Sequence, residues 1–148
     1  MLATIGNLRE IARLCRNGDP LGSELSGWLG ASLDQFLRRQ APTIEDAFGL
    51  RAPRGGVPWW LEEAMRRRDA ALRELAETLL PDLSPTAQAR HIHTLASRYG
   101  ASAWRHDRTL EAMPRAYAGK ANAWLWQAFK SGAPMPICER QLRNILAQ

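Results

Sequence analysis

The sequence predicts an all-α protein: a single-domain orthogonal bundle of six or seven helices, residues 1–148, around a long central helix at about residues 59–80. Three observations carry this expectation. Within 59–80, Leu61, Met65, Leu72, Leu75 and Leu79 return to one face at the helical period, a stripe suited to burial. Further stretches with the same period are separated by proline and glycine breaks. No run alternates apolar and polar residues between turn signals as a half-buried strand would, and no fixed-period repeat stands out. At 148 residues the chain is long enough to bury a core without disulfides or metals.

In chain order, the first helix is expected at about 4–16, with Ile5, Leu8, Ala12 and Cys15 inward and Asn17-Gly18 as its stop. Asp19-Pro20 offers an N-cap and a first-turn proline, so a second helix is expected to begin at once. Its stripe is Leu21, Leu25, Trp28, Leu29, Ser32 and Phe36, and it should end at Arg38-Arg39-Gln40 before Pro42. Gly22, Gly27 and Gly30 lower its helix propensity, and at least one is expected to mark the close approach of another helix. Thr43 and Asp46 have capping-box spacing, and Gly49 is placed to close a short helix in the left-handed conformation. Residues 51–58 form a basic Pro/Gly loop. Lacking the Gly-Lys-Ser/Thr ending of a phosphate-binding P-loop, it is expected to be a linker.

The central helix carries Arg66, Arg67 and Arg68, which fan around its circumference. Arg66 is spaced to pair with Glu62, and Arg73 with Asp69 and Glu77. Arg68 alone falls inside the apolar stripe. It is expected to be a structural buried charge, its stem between Met65 and Leu72 and its guanidinium paired with an acid from another segment, Asp34, Glu45 or Asp46. Ser84-Pro85 then restarts the chain, with Ala89, Ile92, Leu95, Ala96 and Tyr99 inward; the helix ends near Gly100 or runs on, kinked, to Leu110. A helix at 115–130 should bury Tyr117, Ala121, Trp124, Leu125, Ala128 and Phe129. A turn at 131–136 leads to the last helix, 137–146.

Composition bounds the function. Six Trp against two Tyr suggest several core anchors and one or two displayed rings. The net charge of +5 comes from eighteen Arg and two Lys against fifteen acids, and the excess rises toward the C-terminus, where 101–148 carry +4. That balance favours an acidic partner, DNA or an acidic protein surface. Cys15 and Cys138 lack CxxC spacing and are expected as reduced, core-lining thiols. No signal-like or membrane-length apolar run is present, so a soluble, cytoplasmic protein without membrane contact is expected.

Catalysis finds no motif. His91 and His93 are two apart on a helix and point to opposite sides, so they cannot share a metal, and His106-Asp107 are sequence neighbours, a poor geometry for a base and its orienting carboxylate. No enzyme activity, metal or cofactor is expected. The last two helices, 115–147, have the outline of a helix-turn-helix unit. On the final helix Cys138, Leu142, Ile145 and Leu146 share one side, leaving Arg140, Arg143 and Asn144 on the other. Arg reads guanine and Asn reads adenine, and Arg105, Arg108, Arg115, Lys120 and Lys130 could add phosphate contacts. The expected function is therefore a small nucleic-acid-binding or regulatory protein of bacterial or phage type. The alternative is a protein-protein adaptor or inhibitor using Trp59 and Trp60, of which one should be exposed, with Arg51 and Arg54 of the basic loop.

Overall fold

Eight α-helices and one 3₁₀ turn form across residues 2–148, the residues described by the computed structural model, with no strand among them. The all-α expectation holds. The helices are α1 (Leu2–Asn17), α2 (Ser23–Leu37), α3 (Ile44–Ala47), α4 (Trp59–Leu79), α5 (Pro85–Ala101), α6 (Trp104–Asp107), α7 (Ala121–Lys130) and α8 (Glu139–Leu146), with the 3₁₀ turn at Arg115–Tyr117. The chain divides into two units, one ending at Trp59 and the other spanning Trp60–Gln148. No helix among the described residues is long and apolar enough to cross a membrane.

In the first unit, local chemistry sets the helix ends. Gly18, at φ +73°, lets the Asp19 N–H reach Leu14 O at 2.9 Å and its own N–H reach Cys15 O at 3.2 Å, the paired bonds of a Schellman stop. Asp19 does not cap α2 as expected. Its carboxylate is turned back to Asn17, which donates at 3.5 Å, and α2 begins at Ser23 behind Gly22 without a side-chain cap. The buried line on α1 also differs from expectation: Ile5 and Ile11 are buried, whereas Ala12 and Cys15 are exposed. Isoleucine removes more apolar area from water than alanine or cysteine, so the helix turns its larger side chains inward.

At the far end of α2, the Arg39 N–H reaches Phe36 O and the Gln40 N–H reaches Gln35 O, the same Schellman pattern. Here the left-handed residue is Arg39 itself, at φ +57°. Thr43 then caps α3, its hydroxyl oxygen accepting from the Asp46 N–H at 3.1 Å, and Gly49 closes it at φ +67°, both as expected. Trp28 and Phe48 meet edge to face at 5.3 Å and join α2 to α3.

The glycines of α2 do not mark a helix contact. A Cβ at Gly22, Gly27 or Gly30 would meet nothing within 4 Å. Gly27 and Gly30 are interior helix positions exposed to solvent. Replacing each by Ala should raise stability by about 0.5–1 kcal/mol, because alanine loses less backbone entropy in a helix. Thermal melts of Gly27→Ala and Gly30→Ala check this; an unchanged or lower midpoint for both contradicts it. The close approach lies elsewhere, at Gly100 of α5, where a Cβ would sit 3.2 Å from two ring carbons of Phe129.

The second unit is built on Leu72, Leu75, Ile92, Leu125 and Leu142, all essentially inaccessible. Around them α4 contributes Ala71 and Ala76, α5 Ala89 and Tyr99, α7 Ala128, and α8 Ile145. Leu79, placed in the buried stripe by its spacing, is exposed near the end of α4. Ser84 caps α5 by accepting from the Ala87 N–H, with Pro85 at the first position, as the sequence indicates. The chain takes the shorter of the two expected courses: α5 stops at Ala101, and α6 forms as a separate single turn. The expected helix at 115–130 is also shorter. Gly119 at φ +71° interrupts it, so only Ala121–Lys130 is α-helical.

Candidate nucleic-acid interface

Helix α8 positions the strongest candidates. Leu142 and Ile145 are buried in the core, which turns Arg140, Arg143 and Asn144 outward, as the helical projection requires. No ion pair engages Arg140 or Arg143 among the described residues. At the start of the helix, Gln141 Oε1 accepts from the Ile137 N–H at 2.8 Å, tying the incoming chain to the first turn. Cys138 takes the N-cap position and is exposed, as is Cys15; neither thiol lines the core. A residue in extended conformation at the helix entrance lies off the helical projection, so the spacing argument did not apply to Cys138.

The helix-turn-helix expectation does not describe this packing. In that motif the second helix lies against the first. Here, among the described residues, α8 packs most extensively against α5. Arg90 on α5 faces Glu139 on α8 at 3.8 Å, and His93 Nε2 lies 3.4 Å from Ile137 O. The long turn with Pro134 and Pro136 carries the chain from the end of α7 over to α5.

The other basic candidates divide into two sets. Arg105, Arg108, Arg115 and Lys120 are exposed, on α6, at its C-cap, on the 3₁₀ turn and at the N-cap of α7. Lys130 is held in place: its ammonium donates to Arg108 O at 3.1 Å and to Leu110 O, and lies 5.7 Å from the centre of the Trp126 ring. It bridges the end of α7 to the segment after α6.

Arg68 is largely buried, its side chain 11% exposed beside Asp69 at 17%. Its partners differ from the expected ones. The guanidinium donates from Nε to Asp69 Oδ1 at 2.7 Å and from Nη1 to Pro134 O, and its Nη2 forms the ion pair with the same carboxylate oxygen at 2.7 Å. Asp34 and Asp46 take arginines of their own unit, Arg38 at 3.7 Å and Arg51 at 2.9 Å. Asp69 being engaged, Arg73 donates to Ile145 O at 3.3 Å in place of the expected acids. Arg66 does pair with Glu62, at 3.2 Å.

Of the alternative partner-binding set, Trp60 is 57% exposed and Trp59 half-buried. Arg54 is exposed, and Arg51, also exposed, is paired with Asp46.

One polar centre had no signal in the sequence. Asp107 is 3% exposed, and its Oδ2 accepts from the hydroxyls of both tyrosines of the chain, Tyr99 at 2.8 Å and Tyr117 at 2.7 Å. Burial, and then the bond to Asp107, push the Tyr99 phenol well above its ordinary value. For Tyr117 the bond to Asp107 is the larger cause and burial the smaller, in the same direction. The Tyr99, Trp104 and Phe129 rings pack beside this centre with centroids 5.3–6.2 Å apart. It joins α5, α6 and the 3₁₀ turn from the inside and has the chemistry of a structural clasp. Among the described residues no group of His, Cys, Asp and Glu is placed to hold a metal ion.

Comparison with protein-family models, curated proteins and solved structures yields no significant match for the chain.

Proposed function

We propose that the chain is a non-catalytic nucleic-acid-binding protein that uses the outer face of α8. The observation that carries this is the exposure of Arg140, Arg143 and Asn144 on one helix, with both guanidinia free of ion pairs among the described residues. Arginine matches phosphate oxygens and guanine edges, and asparagine matches adenine. Arg105, Arg108, Arg115 and Lys120 add positive charge to the same unit, raising the local concentration of an anionic polymer.

The test is a salt titration. A labelled 20-nucleotide DNA strand and its duplex are titrated with protein from low to physiological salt. At least one should bind at low salt, with log K falling as log salt rises. Arg140→Ala combined with Arg143→Ala should weaken binding and reduce the slope by about 1.4–1.8, the share of two phosphate contacts. Absence of any complex at low salt, or an unchanged slope in the double variant, contradicts the assignment. The second reading, a partner protein docked on Trp60, rests on that ring's exposure. It predicts a complex that tolerates salt and is lost in Trp60→Ala.

A further inference from the structure

Beside the outer face of α8 lies an open hollow of about 440 Å³, within the size range of small-ligand sites. Its wall is mixed. Met135, Ile137 and Ile145 supply apolar surface, Gln141 and Asn144 supply amides, and the Arg68–Asp69 pair lines it as well. Asn144 therefore belongs both to the exposed face with Arg140 and Arg143 and to the hollow. Gln141 accepts with its oxygen from the Ile137 N–H, which leaves its NH₂ group as a donor.

We propose that this hollow receives an unpaired base, so that the ligand of α8 is single-stranded nucleic acid rather than a duplex. The proposal rests on the nucleic-acid assignment above and specifies its substrate class. Three features of this region point to a single strand. First, a helix that reads a duplex enters the major groove with its N-terminal residues on the base edges. The N-terminal end of α8 instead carries Ile137, 82% exposed, and Glu139, whose carboxylate faces Arg90. Neither an apolar knob nor an acid suits a groove flanked by phosphates. Second, the eight residues of α8 are packed on α5 without the supporting first helix of the duplex-reading motif. Third, the hollow offers an unpaired base apolar contact from Met135, Ile137 and Ile145 and the amides of Gln141 and Asn144 for its edge. Arg140 and Arg143, exposed on the same helix, supply positive charge for the phosphates of a strand whose base enters the hollow.

The experiment compares four labelled 20-mers at one low salt concentration: a dA strand, a mixed-sequence strand, its duplex, and a strand of the same length with abasic sites. The two base-bearing strands should bind on the order of 10-fold tighter than the abasic strand, because the phosphates are equal and only bases fill the hollow. They should also exceed the duplex. Asn144→Ala, an exposed position, should remove most of the advantage over the abasic strand. Equal binding of abasic and base-bearing strands, or tighter binding of the duplex, overturns the base pocket and leaves the nucleic-acid assignment standing. Failure of all four to bind overturns that assignment and the pocket with it.

Discussion

Asp107→Ala should destabilise the second unit by about 3 kcal/mol, because it leaves two tyrosine hydroxyls without their acceptor and opens a gap at a buried site. Asp107→Asn retains one oxygen that can accept from both hydroxyls, and should cost about 1 kcal/mol, the difference between a charge-assisted bond and a neutral one. Denaturant unfolding followed by tryptophan fluorescence measures both. If Asp107→Ala and Asp107→Asn cost the same, the carboxylate is not holding the tyrosines as described. The tyrosines add a pH signature. Both phenols are raised in the folded state, so they bind their protons more tightly folded than unfolded. Their contribution to stability is full below the unfolded value near 10 and is lost as pH rises above it. Alkaline unfolding should therefore begin above about pH 10, and Tyr99→Phe should flatten that part of the profile.

Arg68→Ala should cost about 2 kcal/mol, since it removes a largely buried stem and leaves Asp69 and the Pro134 carbonyl without their donor. Arg68→Met restores the stem and should recover more than half of that loss. The recovery depends on Asp69, at 17% exposed, finding water once the guanidinium is gone. Equal destabilisation by Ala and Met would mean that the ion pair, not the packing of the stem, dominates at this position.

The two positions show what sequence can reveal and what it cannot. Arg68 was conspicuous because a guanidinium interrupts the stripe of α4, and its burial followed from periodicity alone. Its partner did not, because helical spacing pairs residues three or four apart whereas Asp69 is the adjacent residue, and the Pro134 carbonyl arrives from a turn far along the chain. In the sequence Asp107 stands out only as the neighbour of His106, in a pairing poorly placed for catalysis. Its burial depends on α6 forming a separate turn, which brings the carboxylate to hydroxyls eight and ten residues away. No period or motif encodes that meeting. Signals that act within one turn were legible: the Thr43 cap, the Gly49 stop, and Ser84-Pro85. The packing of α8 on α5 was not, because an amphipathic helix specifies which of its faces is buried and leaves open what covers it. The same amphipathicity correctly placed Arg140, Arg143 and Asn144 outside, so the exposed face of α8 was legible even though the helix behind it was misassigned.

The two functional assignments place the ligand on different parts of the second unit, on α8 or at Trp60 at the start of α4. A backbone amide NMR titration with an unlabelled single-stranded 20-mer separates them most directly. The largest shifts should fall on Arg140, Asn144 and their neighbours in α8, together with Ile137 and Arg68 around the hollow. Shifts absent from α8, or centred on Trp60, would contradict the α8 assignment.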